Sequence, residues 1–427
     1  MIAIALIVLL VLLFLSIPVA ATLMALALFL DEFFSAFPLH RALGDVLWTA
    51  SDSFLLIAIP LFILLGEILV RTGVARTTYE TLESWLSWLP GGLLHANIGT
   101  ATLFSATSGS SVATAATIGT VAMPQARALG YDERLFAGSI AAGGTLGIMI
   151  PPSINLIVYG FLTETSIPRL FAAGLIPGLL LALLFILGSA LLCAIWPTLG
   201  GPKRHHTWSQ RIGGLRHLVP VLTLFALVVG SIYAGWATPT EAAALGVVGA
   251  LAIAAGMRRL NLRVMIEAID GTMRTTAMVM LIIITSYFLN FVLASAGVTD
   301  DLNAFIEGAG LGPYGTLMMV ILLYVVLGFF VETLSLMVIT IPIVAPIIIA
   351  QGFDPVWFGI LLILLIEMAL ITPPVGLNLY VVQSVRKRGV LNDVMVGAIP
   401  YVVIMILVAM LLVLLPGIAL YLPSILG

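Results

Sequence analysis

The sequence predicts an all-α membrane protein made of two inverted repeats, each carrying a re-entrant hairpin and a helix broken at a proline pair. Three observations carry this reading. The composition is too apolar for a soluble fold, the basic residues fall on one face only if two segments enter and leave on one side, and one order of motifs occurs twice.

Hydrophobic residues make up 61% of the 427 and charged residues 9%, with a mean hydropathy of +1.21, whereas a soluble domain carries about 25% charged residues. Runs such as 175–196 and 395–422 are nearly continuous, long enough for a ~30 Å hydrocarbon core that takes about 20 residues to cross. The net charge of -3 sits in short loops and points to no nucleic acid partner. Cys193 is the one cysteine, which excludes an intrachain disulfide or a thiolate metal cluster. Residues 1–30 lack the basic start of a signal peptide and are too long an apolar run for one, so they read as a first span bent at Pro18.

Full spans are expected at 2–30, 53–70, 133–163, 169–198, 218–236, 240–257, 276–297, 355–384 and 395–423. Two further apolar segments, 95–126 and 312–349, are rich in Gly, Ser, Thr or Pro at their middles and read as hairpins. Basic residues in short loops stay cytoplasmic. With both hairpins in place, every Lys and Arg except Arg41 and Arg169 lies on one face, and 199–217 is the main cytoplasmic loop. Making either segment a simple span scrambles that distribution.

The repeat shows as a constant separation between rare residues. Pro124 corresponds to Pro346, Gly130 to Gly352, Asp132 to Asp354, Phe136 to Phe358, and Pro151-Pro152 to Pro373-Pro374; after one inserted residue, Asn155 corresponds to Asn378 and Pro177 to Pro400. The first repeat is 1–198, the cytoplasmic loop with a linking helix is 199–239, and the second repeat is 240–427. The topology orients the two hairpins oppositely, as in carriers whose midplane site faces each side in turn. Short amphipathic stretches at 82–89 and 302–306 read as in-plane braces or as interfacial loops.

Each broken helix, Gly147 to Gly160 and Ala369 to Val382, must open where two adjacent prolines remove backbone donors. The first half then ends in free carbonyls that suit Na⁺, and the second begins with free amides that suit a carboxylate. The hairpin tips, Ala106 to Thr114 and Gly328 to Ser335, add hydroxyls and a carboxylate. The candidates for substrate are Ser108, Gly109, Ser110, Ser111, Asn155, Glu332, Thr333 and Asn378. Those for Na⁺ are Ser110, Gly147, Pro151, Ser153, Thr333, Ser335, Thr372, Pro373 and Gly376. Thr117 and Gly119 read as packing residues. Acids within apolar segments are costly and are functional candidates by default: Glu332 reads as a helix cap or an ion contact, while Glu67 and Glu367 read as a proton site or as facing an aqueous cavity, with neither role assigned. No catalytic set or phosphate-binding loop is present, so the chain reads as no enzyme and draws on an ion gradient.

The strings PPVGLNLYV (Pro373 to Val381), IGTVAMP (Ile118 to Pro124), IPPSINLIVYG (Ile150 to Gly160) and IPLFILLGEIL (Ile59 to Leu69) resemble those of the large membrane (M) subunits of tripartite ATP-independent periplasmic (TRAP) transporters, over essentially the whole chain. The resemblance implies an elevator-type ion-transporter fold, in which a transport domain slides against a scaffold. It implies coupling to Na⁺ ions, two or more, without an organic cofactor, and a bacterial inner membrane location. The partners it implies are a small four-helix membrane (Q) subunit, a periplasmic substrate-binding protein (P) and membrane lipid, and the cargo a C4-dicarboxylate, sialic acid or similar carboxylate. A stand-alone dicarboxylate or anion carrier with the same hairpins, and a channel or structural subunit, are the competing readings.

Overall fold

Prolines and left-handed glycines, more than polar linkers, decide where the helices of this chain stop. The computed structural model describes residues 2–15, 17–35, 37–202, 206–298, 304, 308, 310–329 and 331–426, and among these there are helices and connecting turns but no strand. Helices α1 (Ile2–Phe14) and α2 (Val19–Phe34) are separated at Pro18, so the expected first span is two shorter helices. Next come α3 (Leu43–Ser51) and α4 (Ala58–Thr72), which Gly73 ends at φ 70°. There α5 (Val74–Leu86) turns off and packs along α6, so the first amphipathic stretch is largely helical. Of the second, at 302–306, only Ala304 lies within the described residues.

The first hairpin is α6 (Leu93–Ser108) and α7 (Ser111–Ala128), joined by Gly109 and Ser110. The first broken helix is α8 (Glu133–Met149) and α9 (Ile154–Leu162), bent by 43°. Then α10 (Ile167–Ile195) spans 29 residues. The expected loop 199–217 holds a helix, α11 (Trp208–Leu215), capped by Thr207 and Gln210. It docks on α5, where the Trp85 indole donates to the Arg211 carbonyl at 3.0 Å. Lys203 and Arg204 lie outside the described residues.

The second half runs through α12 (Val219–Tyr233), α13 (Pro239–Gly256) and the 34-residue α14 (Leu262–Ser295). Helices α15 (Gly312–Gly328) and α16 (Thr333–Ala350) occupy the second hairpin segment. The second broken helix is α17 (Pro355–Ala369) and α18 (Leu377–Arg386), followed by α19 (Leu391–Leu414) and α20 (Gly417–Leu426). Both proline pairs are joined by cis peptide bonds. By length and composition seven helices among the described residues can cross a membrane, or eight if α8 and α9 count as one.

Two helices sit at the centre. Every residue of α8 from Leu135 to Met149 and of α17 from Val356 to Ala369 is buried, and each follows an aspartate, Asp132 or Asp354, that caps it. Glycines let α19 approach α8: a side chain at Gly397 runs into the Arg134 carbonyl, and one at Gly138 into Gly397. Below this seam the buried Arg386 joins Glu133 at 2.8 Å and Asp393 at 3.1 Å, and Arg127 donates to the Arg386 carbonyl. The second limb of each broken helix leans on the opposite half, with α9 against α16 and α18 against α7 and α8. Gly119 faces Val385 and Ile140 across this seam, which is the packing role expected of it.

Because the Gly397 contact is backbone against backbone, Gly397→Val must force α8 and α19 apart. The expected cost is about 1–3 kcal/mol, seen as a lower unfolding temperature in detergent, while Gly417→Val, in open space, leaves it unchanged.

Candidate functional site

Where helices are interrupted inside an apolar protein, their free amides and carbonyls need polar partners or an enclosed cavity. A cavity of about 540 Å³ lies at such a place. Its wall includes Gly109, Ser110 and Ser111 of the first tip, Ile154 and Asn155 of the first break, and Glu332, Thr333 and Ser335 of the second tip. Ile148 near the end of α8 and Leu370 just after α17 complete the interrupted frame. Seven of the sequence candidates named above, Gly109, Ser110, Ser111, Asn155, Glu332, Thr333 and Ser335, thus share one wall.

Three polar side chains at these interruptions are committed to helix ends, whereas the Asn155 side-chain nitrogen is buried with no partner among the described residues. Ser110 accepts from the Ala113 amide at 3.3 Å, and Ser153 from the Leu156 amide at 3.4 Å. Glu332 accepts the Ser335 amide at 3.1 Å and hydroxyl at 3.0 Å, so it occupies the N-cap. Helices α7, α9 and α16 therefore all begin at the cavity, with their positive dipole ends directed at it. Glu332 is the one charged side chain among the described lining residues.

The first tip is seated on the first break. A side chain at Gly147 would stand 2.9 Å from the Ser110 carbonyl, and one at Gly109, where φ is 57°, would meet Ile154 at 3.4 Å. Gly147 thus meets Ser110, while Pro151 and Ser153 are buried in the break; Gly147, Pro151 and Ser153 are not among the residues lining the cavity. At the second break the Asn378 amide bonds the Leu370 carbonyl at 3.1 Å and the Thr372 hydroxyl bonds the Met368 carbonyl at 2.6 Å. Thr372, Pro373 and Gly376 are not among the residues lining the cavity. Asn378 is also away from it, fully buried, its side-chain nitrogen 3.4 Å from the Ala141 carbonyl. Ser108 closes α6; its side chain lies outside the described set.

Sequence reasoning missed the opposite wall, made by Pro18, Val19 and Ala20 and by Thr275, Met278, Val279, Leu281 and Ile282 of α14. Apart from Thr275 these residues look like any span, so no local signal marks them. Of the unassigned acids, Glu67 pairs with Arg71 beside Gly271, a structural contact between α4 and α14. Glu367 is 1% exposed, and one of its oxygens is in hydrogen-bond contact with the Ser111 hydroxyl.

The chain matches the family described as tripartite ATP-independent periplasmic transporter, DctM component, over residues 6–418. It is 33% identical over 388 residues to the C4-dicarboxylate TRAP transporter large permease protein DctM of Pseudomonas aeruginosa, covering 91% of this chain and 90% of that one. It is 32% identical to the sialic acid TRAP transporter large permease protein SiaM of Vibrio cholerae, over 91% and 89%. To the ectoine TRAP transporter large permease protein TeaC of Halomonas elongata it is 32% identical, over 86% of each. Among solved structures, the Alcanivorax borkumensis YdaH transporter is similar in fold, with a TM-score of 0.64 at 15% identity over 94% of this chain and 98% of that one.

The cap geometry separates two roles for Glu332. Glu332→Ala should lower the unfolding free energy by about 1 kcal/mol, and Glu332→Ser, which restores a cap without charge, should recover most of it. Equal losses in thermal unfolding would mean that charge, not capping, is what the position supplies.

Proposed function

This chain belongs to the DctM-component family of TRAP transporters, a family of transport permeases rather than enzymes, and from that premise we propose that it is the large permease subunit for Na⁺-coupled uptake of an organic acid. Its place is the bacterial inner membrane, as a multi-pass protein. The observation that carries the proposal is the meeting of three helix N-termini and two hairpin tips at one cavity of about 540 Å³. Amides and helix dipoles receive a carboxylate there without an arginine.

In this reading the two halves are inverted repeats. Na⁺ binds first where Ser110 lies on Gly147, with Pro151 and Ser153 in the break below, and again near Thr333, Ser335, Thr372, Pro373 and Gly376. Ser108, Gly109, Ser111, Asn155, Glu332 and Asn378 shape the space for the carboxylate. The central helices α8 and α17 with their hairpins move as one body against α4, α13 and α14, an elevator motion that turns the cavity from one side to the other. A small four-helix membrane subunit and a periplasmic binding protein complete the system, and the latter delivers the cargo. Relatives named for C4-dicarboxylate, sialic acid and ectoine share the permease while differing in solute, which supports a cavity that recognises an anionic group and leaves the rest to the binding protein.

Uptake into proteoliposomes tests this reading. With the small subunit and binding protein present, a Na⁺ gradient should drive saturable accumulation; accumulation that needs neither partner would favour a stand-alone carrier, and non-saturable flux without Na⁺ dependence a channel. Ser110→Leu and Thr372→Leu should each reduce Na⁺-driven uptake by about tenfold or more, equivalent to about 1.4 kcal/mol of coupling, with membrane insertion intact.

A further inference from the structure

Glu367 lies in the last turn of α17, one of the two helices buried along their length, and is 1% exposed. Its Oε2 contacts the Ser111 hydroxyl at the start of α7, and the same hydroxyl lies 2.9 Å from the Gly144 carbonyl of α8. Its Oε1 is buried with no hydrogen-bond partner among the described residues. No ion pair among the described residues reaches it.

The three oxygens set a count. A serine hydroxyl has one hydrogen, while a carbonyl and a carboxylate only accept. Gly144 lies inside α8, where its carbonyl takes the helix bond, so the oxygens left short are those of Glu367: as a carboxylate it has at most the one Ser111 hydrogen for two buried oxygens. With a proton on Glu367 the carboxyl donates to Ser111 Oγ, and the Ser111 hydroxyl donates to the Gly144 carbonyl as a second bond on that oxygen. The same proton removes an otherwise unpaired buried charge, which is far costlier to enclose than a neutral acid. It leaves Oε1 as a carbonyl oxygen. From this geometry we infer that Glu367 is a proton-binding site, filled when the tip of the first hairpin is seated between α8 and α17.

The charged groups of the described neighbouring elements are engaged elsewhere. At the second tip Glu332, itself an acid, caps α16. The tyrosines of α15 and α9 are bonded elsewhere, Tyr324 to Thr340 and Tyr159 to the Pro355 carbonyl at the far end of α17. On α8 and α19, Glu133, Arg134 and Asp393 belong to the ion-pair cluster around Arg386. The proton exchanges with water and no other chemistry is required. Its consequence is a contact between the two halves that forms with proton uptake and opens with release. The site depends on the packing of α7, α8 and α17 and not on whether a carboxylate is the cargo.

Infrared difference spectroscopy of the full chain in lipid nanodiscs, at mildly alkaline pH without Na⁺, tests it. The wild type should show the carbonyl band of a protonated carboxyl. Glu367→Gln, of the same shape and able to donate to Ser111, should lose that band completely, and Ser111→Ala should shift it by removing its acceptor. A wild type without the band, or a band unchanged in Glu367→Gln, overturns the assignment. If Glu367→Gln fails to fold, Ser111→Ala decides: a shifted band supports the site and an unshifted one overturns it. A loss of bound ²²Na⁺ in Glu367→Gln would also overturn it, by giving the place to a metal cation.

Discussion

Two proline pairs release backbone amides and carbonyls in the middle of an apolar protein, and these must be satisfied without the help of lipid. Much of the architecture answers that need. Ser153 closes the start of α9, the Asn378 amide turns back to Leu370, and the Thr372 hydroxyl returns to Met368. What remains is covered by hairpin tips. The cover is shared between halves, because α9 packs on α16 and α18 on α7. The hairpins, the breaks and the two central helices are thus tied both within each half and between halves.

The two central helices meet the same demand with different side chains. In α8, Gly138, Gly143, Gly144 and Gly147 let α19, α6 and α7 press backbone against backbone. In α17 a nearly unbroken run of Leu and Ile fills space by bulk. The close side is where hydroxyls and carbonyls gather, around Ser110, Ser111 and Gly144, and it is there that a carboxyl from the bulky side arrives. The contact therefore joins distant parts of the chain, with Glu367 of α17 meeting the tip that opens α7.

The parts legible in the sequence are those that rely on residues with few other uses. Paired prolines, a glycine and serine tip, and an aspartate before each central helix mark positions that no generic span needs, and Asp132 and Asp354 do cap α8 and α17. Capping by Glu332 was readable for the same reason. The far wall was not, because Met278, Val279 and Ile282 carry no mark beyond hydrophobicity. The break at Pro18 read as a bend, since one proline does not reveal whether a helix resumes in line. Glu367 was visible as an intramembrane acid but without a partner: its neighbour Ser111 is 256 residues away, and only the seating of the first tip between α8 and α17 joins them.

We propose that the two hairpin tips and the first break enclose the place where cargo binds. A structure of the chain with its membrane partner, solved at high resolution in Na⁺ with a carboxylate cargo, is the decisive test. Cargo density is expected between Ser110, Asn155 and Thr333, facing the α14 wall. Cargo bound elsewhere, for instance between α12 and α13, with that cavity unchanged, would contradict it.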